Sequence, residues 1–194
     1  MIEKLKDERM EANITRTAPT LETPRLHLRG LRASDLDEFQ QMYSDPLVYK
    51  FLTGKPLSRE DAWARMLRLA GLWELSGFGY WALEDKSSGA LAGIAGYAEF
   101  YRTIEPAIAG KPEFGWALAS PFHGKKLSTE AVAAIQAWGD KALLTDETSC
   151  IIATRNAPSI HLAQKIGFQK VAEGPYNDEP HLVLLRRQPA SIAT

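Results

Sequence analysis

The sequence predicts a mixed α/β (α+β) domain: one sheet with helices packed against it. Three observations lead there. The patterned part of the chain opens with an alternating segment, Arg25-Leu26-His27-Leu28-Arg29, and two amphipathic helices follow it. A run of strand-like segments then extends from Phe78 to Ala119 with no helix between them, as neighbours in one sheet require. Beyond residue 119 helix and strand alternate, and the chain closes on two further strands. With 194 residues and 45% hydrophobic content there is material for one ordinary domain with a sizeable core.

The first 18 residues are polar, lack a sustained apolar face and stop before Pro19, so they read as a flexible extension. The domain then spans 19–188, with a short tail at 189–194. Compact structure starts at Leu21, and Arg25–Arg29 is the first strand. Ser34 or Asp35 can cap a helix running to about Tyr43, where Leu36, Phe39 and Met42 share a face; Asp45-Pro46 ends it. Ser58 and Asp61 resemble a capping box for a second helix reaching about Leu75. Its apolar face is predicted at Trp63, Met66, Leu67, Ala70 and Trp73, so both tryptophans read as core; Gly77 is the stop, and Phe51 to Pro56 offer a lid on the substrate side. Phe78 to Leu83, a polar turn at Glu84 to Gly89, and Ala90 to Phe100 read as an antiparallel hairpin, its second strand weakened by Gly93 and Gly96. An irregular link with Pro106, Gly110 and Pro112 leads to the third strand, Phe114 to Ala119. The helix from Thr129 to about Leu144 directs Ala131, Val132, Ile135 and Trp138 at the sheet. Cys150 to Thr154 is a short buried strand, Ala157 to Ile166 a helix ended by Gly167, and Phe168 to Ala172 and His181 to Arg186 are the last two strands.

Residues 113 to 131 carry the most chemistry. A short apolar strand breaks at a polar, basic turn and opens directly into a helix. The break at Pro121 to Lys126 leaves backbone N–H groups unpaired at a helix N-terminus, where the macrodipole also favours negative charge. Lys125 and Lys126 add two ammonium groups at the same place. A ligand bearing several phosphates suits that turn better than a lone carboxylate does.

Other readings are excluded by composition and spacing. With 23 basic and 24 acidic residues the net charge is -1, so no overall field draws the chain to nucleic acid or a membrane surface. Cys150 is the only cysteine, which excludes an internal disulfide and both Cys₄ and Cys₂His₂ zinc sites; a buried structural thiol is expected. His27, His123, His161 and His181 lack metal-ligand spacing, so no metal is expected. Met1 to Arg16 has no apolar h-region, and no stretch approaches the roughly 20 apolar residues of a membrane span. A cytoplasmic protein is expected. Gly124-Lys125 falls short of a P-loop, since Ala119 stands where that motif needs Gly and Lys126 where it needs Ser or Thr. Gly77-Phe78-Gly79 and Gly93 to Gly96 do not complete a dinucleotide fingerprint.

Several pieces resemble one known superfamily. Gly115-Trp116-Ala117-Leu118, then Phe122-His123-Gly124-Lys125-Lys126-Leu127-Ser128-Thr129-Glu130-Ala131, then Asn156-Ala157-Pro158-Ser159 and Lys165-Ile166-Gly167-Phe168 are similar to the GNAT N-acetyltransferases. The branch suggested is the RimJ/RimL type, whose opening segment is similar to Leu21-Glu22-Thr23-Pro24-Arg25-Leu26; the resemblance extends to about Arg187. It implies the acyl-coenzyme A N-acyltransferase fold, with a mostly antiparallel sheet splayed at the cofactor site. It further implies acetyl-coenzyme A as co-substrate, a small-molecule or peptide amine as acceptor and no membrane or nucleic-acid partner, and it admits a homodimer. On that resemblance the pantetheine pairs with the strand at Trp116, Ala117 and Leu118. The pyrophosphate meets the turn formed by His123, Gly124, Lys125, Lys126, Leu127, Ser128 and Thr129. The family usually has Gly or Ala at the position of Lys126, because backbone must come close to phosphate. Either the lysine's Cβ is tolerated and its ammonium reaches a phosphate, such as the ribose 3′-phosphate, or cofactor binding is weakened; the retained turn favours the first.

The resemblance also suggests catalytic groups. An ammonium has no lone pair, so amine attack needs a proton acceptor, and Glu113 at the mouth of the cofactor strand is the first candidate. Glu99, Glu105, Glu173 and Asp178 come from segments that should reach the same rim, although a solvated surface carboxylate is the favoured reading of these four and an equal reading of Glu113. Ser159 can protonate the departing thiolate, and Asn156 either holds the pantetheine arm or caps its own helix. The acceptor loops are expected near 45–58, 100–112 and 173–180, where the carboxylates of the last two favour a cationic amine and the branch favours a peptide N-terminus. The leading reading is an N-acetyltransferase using direct transfer in a ternary complex. A non-catalytic acyl-coenzyme A-binding module and an enzyme using a nucleotide phosphate at the same turn are the alternatives.

Overall fold

The computed structural model describes residues 17–176 and 179–189. Among them eight strands form one sheet: β1 Leu21–Glu22, β2 Leu26–Arg29, β3 Tyr80–Asp85, β4 Leu91–Ala98, β5 Glu113–Leu118, β6 Glu147–Ala153, β7 Gln169–Tyr176 and β8 Glu179–Arg187. Their spatial order is β1-β2-β3-β4-β5-β6-β8-β7. Every neighbouring pair is antiparallel except β5 and β6. Helices α1 Leu36–Ser44, α2 Pro46–Tyr49 and α3 Arg59–Ser76 fall between β2 and β3; α4 Leu127–Ala142 and α5 Ala157–Lys165 follow β5 and β6. A parallel neighbour needs a crossover, and α4 supplies it between β5 and β6.

Two apolar layers hold the sheet. On one face Ala131, Val132 and Ile135 of α4 and Leu162 and Ala163 of α5 pack with Phe114, Leu118, Ile152 and Leu184. On the other Phe39, Met42 and Tyr43 of α1 and Ala62, Met66 and Leu69 of α3 pack with Tyr80, Ala82, Ile94 and Ala117. The predicted order of strands and helices is observed, and the sheet is mixed and mostly antiparallel, as expected.

Particular elements differ. The buried face of α3 is Ala62, Met66, Leu69 and Trp73, whereas Trp63 is 38% exposed and Leu67 53% exposed. Trp63 is therefore not core. The helix is apolar on several sides, so spacing alone admits more than one face, and the choice is made by Trp73. Its ring meets Trp81 at 4.6 Å and Trp138 at 5.6 Å, and its Nε1–H donates to the Tyr80 carbonyl at 3.1 Å. Strand β1 and helix α2 were not anticipated; at two and four residues they are too short to show a period. Asp35 does not cap α1 with its side chain; it is buried against the Arg29 guanidinium at 2.8 and 2.9 Å. Cys150 is buried and free, the structural thiol expected. Ala18 packs against the main core and the Pro19 carbonyl accepts from Trp81 Nε1 at 2.7 Å. The remainder of the expected extension, residues 1–16, and the tail beyond 189 lie outside the described residues, as does Asp178. No helix among the described residues is long and apolar enough to cross a membrane.

Candidate active site

The sheet opens at its centre. Strands β5 and β6 are in register at one pair, Glu113 with Ser149, where the Ser149 N–H donates to the Pro112 carbonyl at 3.0 Å and its Oγ to the Lys111 carbonyl at 3.3 Å. Beyond that pair the strands part, and a cavity of about 530 Å³ enters between them, lined by Glu113 to Ala117 on one side and Cys150 to Ala153 on the other.

Register decides which backbone groups face that gap. Residues of β5 alternate between turning N–H and C=O toward β4 and turning them away. The Ala119 N–H donates to the Ala92 carbonyl at 2.9 Å, one step beyond the Leu118–Gly93 pair, which fixes the parity. Ala117, Gly115 and Glu113 therefore bond toward β4, while Leu118, Trp116 and Phe114 direct their N–H groups into the gap. The Ala117 backbone is thus bonded to β4, and its side chain lines the cavity. Gly115 is required on steric grounds: a Cβ there would lie 2.2 Å from the Tyr80 hydroxyl.

Past Leu118 the chain makes a 3-10 turn at Ser120–Phe122 and reaches α4 through two residues at positive φ, Gly124 at 74° and Lys126 at 60°. Lys126 thus occupies a left-handed position at the head of α4, the conformation that favours glycine. Among the described residues no acceptor takes the amide N–H groups of Gly124, Lys125, Lys126, Leu127, Ser128 or Thr129. His123 is different. Its N–H donates to the Ser120 carbonyl at 3.0 Å and its Nε2–H to the Leu118 carbonyl at 2.9 Å, so it braces the turn and the row of free amides starts at Gly124. The turn is also held from outside: Arg25 donates to the Lys125 carbonyl at 2.9 Å and pairs with Glu130 at 2.7 Å, and Thr23 donates to Glu130 at 2.6 Å. Those anchors belong to the Leu21–Leu26 segment, whose function the sequence did not reveal.

Glu113 is buried, and both carboxylate oxygens bind the Arg102 guanidinium, at 2.5 and 2.9 Å. Burial pushes its carboxyl above the ordinary carboxylate range, against the opposing pull of Arg102. Arg102 also donates to the Tyr176 hydroxyl. Ser159 and Asn156 line the cavity from α5, where the Asn156 side chain accepts the Ser159 N–H at 3.3 Å and caps the helix. None of Glu99, Glu105 and Glu173 lines it: Glu99 accepts the Gly110 N–H at 3.2 Å, and Glu173 pairs with Lys170 on the edge strand. Of the segment Phe51 to Pro56, residues Phe51 to Gly54 line it, and Arg155 holds that segment by donating to the Lys50 carbonyl while pairing with Glu179 at 2.9 Å.

Sequence reasoning missed Arg65, Arg68, Tyr80, Arg102, Arg155 and Tyr176, all on the cavity wall. Arg65 and Arg68 flank the buried positions Met66 and Leu69 of α3, a spacing that read as an ordinary polar edge. The charge of the wall also runs against the cationic acceptor expected, because Glu113 and Glu179 are already paired with arginines. Among the described residues no cluster of three or more His, Cys, Asp or Glu is placed to hold a metal.

Residues 25–169 match the family described as acetyltransferase (GNAT) domain. The chain is 27% identical over 152 residues to the uncharacterised N-acetyltransferase p20 of Bacillus licheniformis, covering 78% of this chain and 83% of that protein. A solved structure from Bordetella pertussis, described as a GnaT-family acetyltransferase, superposes with a TM-score of 0.78 at 29% identity, covering 87% of this chain and 99% of the other. A ribosomal-protein-S5-alanine acetyltransferase from Vibrio fischeri shares the fold, with a TM-score of 0.71 at 20% identity over 89% of this chain and 98% of its own.

Proposed function

Because the chain belongs to the acetyltransferase (GNAT) family, we propose that it transfers the acetyl group of acetyl-coenzyme A to a primary amine by direct attack within a ternary complex. The observation that supports this most is the combination of a gap between β5 and β6 with a row of unbonded amides, Gly124 to Thr129, at the head of α4. The residues fit the cofactor: the amides and two lysines suit phosphates, and the inward N–H groups of Trp116 and Leu118 suit an extended amide-bearing arm. When bound, acetyl-coenzyme A supplies an activated thioester.

The chain's own groups then have definite tasks. The turn from Gly124 to Thr129 receives phosphate, with Lys125 and Lys126 as cationic partners, and His123 keeps the turn in shape. Trp116 N–H, or Leu118 N–H beside it, donates to the acetyl carbonyl and so makes it a better electrophile. Glu113 accepts the proton of the incoming ammonium. Ser159 donates a proton to the leaving sulfur, and Asn156 positions that serine by capping α5. The acceptor is a small amine or a protein N-terminus, the latter in keeping with a RimJ/RimL-type branch. Two tests decide the reading. Calorimetric titration should show coenzyme A binding with little response to ATP, and amine-dependent thiol release should accompany acetyl-coenzyme A turnover. Binding without release would leave an acyl-coenzyme A-binding module; preference for ATP would end the proposal.

A further inference from the structure

Five cationic side chains, Lys50, Arg65, Arg68, Arg102 and Arg155, line the cavity against two carboxylates, Glu113 and Glu179. Arg102 takes both oxygens of Glu113, and Arg155 takes Glu179. Arg65 and Arg68 have no carboxylate partner among the described residues. Aromatic rings hold them instead: the Arg65 guanidinium lies 4.9 Å from the Tyr43 ring centroid and that of Arg68 lies 5.7 Å from Phe100, whose ring also carries Arg102 at 4.6 Å. A ring fixes a guanidinium in place without neutralising it. The Nε of Arg65 is buried with no hydrogen-bond partner, an orphaned donor at the wall of a solvent-reachable cavity. Arg68 is open to solvent along one edge; partial burial, then the like charges of Arg65 and Arg102, hold it below the ordinary arginine range. Tyr43 and Tyr80 are the other titratable groups facing the pair.

Position separates this cluster from the phosphates of the cofactor. Arg65 and Arg68 project from α3, on the sheet face where Ala117 packs, whereas the amide turn heads α4 on the opposite face. They gather at the Glu113 end of β5, with the turn beyond Leu118 at the other end, roughly 17 Å along the strand at the usual rise per residue. The turn already has Lys125 and Lys126.

We propose that the acceptor is a small amine carrying a carboxylate, as an α-amino acid does, with that carboxylate received by Arg65 and Arg68 and its amino group thereby set beside Glu113. This rests on the acetyl-transfer reading above and names its substrate class. An arginine pair recognises a carboxylate through paired N–H donors, and a neutral amide of the same size leaves those donors unsatisfied.

The test measures thiol release from acetyl-coenzyme A with a panel of L-amino acids, each beside its own carboxamide, together with spermidine and a short peptide amide having a free N-terminus. Free amino acids should be preferred, and the preferred one should lose about ten-fold or more in kcat/KM as its carboxamide, mainly through KM. Arg68→Gln should remove that preference, Arg68→Lys should keep part of it, and Arg68→Glu should turn it toward spermidine; acetyl-coenzyme A affinity should stay unchanged in all three. Faster release with the carboxamides, spermidine or the peptide overturns the carboxylate assignment and leaves acetyl transfer standing. Absence of release with every amine, from protein that binds acetyl-coenzyme A, overturns both.

Discussion

Glu113 is 6% exposed with both oxygens on Arg102, yet burial keeps its carboxyl above the ordinary range. The role of base proposed for it requires the ionised form. That form is lost as pH falls through the raised pKa, so kcat/KM should decline on the acid side at a higher pH than a solvated glutamate would give. Glu113→Gln should lower the plateau by about a hundred-fold or more and abolish this acid limb. A variant that retains the limb would remove Glu113 from proton transfer. Arg102 makes an independent check possible, since it works to lower the carboxyl. Arg102→Gln should move the limb to still higher pH, an outcome that a purely structural arginine would not produce. Glu113 stood out as a candidate because it opens an apolar strand that runs into a basic turn. Arg102 was not, because it lies in a link with no periodicity, and its meaning depends on Glu113 and Tyr176 meeting it from distant segments.

At the scale of elements, the turn between β5 and α4 departs from the family's habit at one position, Lys126, and the geometry shows what that habit reflects. A φ of 60° is left-handed, and a side chain there costs about 1–2 kcal/mol. Glycine removes the steric cost but adds entropy to the unfolded chain, so Lys126→Gly should stabilise the fold by only about 0.5–1 kcal/mol, read by chemical denaturation. The compensation proposed is a phosphate contact by the ammonium. The same variant should bind coenzyme A several-fold more weakly at low ionic strength, with the difference narrowing as salt is added. Unchanged affinity would mean that the lysine reaches no phosphate. The order of the strands and helices was legible because alternation, helical spacing and Gly or Pro stops agree along most of the chain. The turn was legible for the same reason: a strand, a basic break and a helix start are all local. The buried face of α3 was not, since its apolar residues leave several faces open and the decision comes from Trp81 and Trp138, far away in sequence.

In the whole molecule the splayed sheet lies between the amide turn and the proposed acceptor wall, and α3 links that wall to the core. Arg65 and Arg68 project from this helix into the cavity, while Trp73, two turns further on, is buried among Trp81 and Trp138. The Trp73 Nε1–H also donates to the Tyr80 carbonyl at 3.1 Å, where β3 extends past the last pair it makes with β2. Tyr80 in turn places its hydroxyl where Gly115 of β5 lacks a Cβ. A tryptophan that does not line the cavity therefore fixes α3 against Tyr80, and through them the proposed acceptor wall. Trp73→Ala would cost about 3–5 kcal/mol, a large part of the 5–15 kcal/mol that typically holds a domain together, and unfolding could obscure any effect on the site. Trp73→Phe is the more informative change. It keeps most of the apolar ring and strands the Tyr80 carbonyl, for a loss of about 1–3 kcal/mol measured by denaturant. Acetyl-coenzyme A affinity should hold, because the ring meets α4 at Trp138, about three turns from the amide turn at the helix head, whereas KM for the amine should rise as Tyr80 and the two arginines lose their fixed spacing. Equal losses in both affinities would mean that the amide turn and the proposed acceptor wall share one rigid core and that α3 does not govern the acceptor side separately.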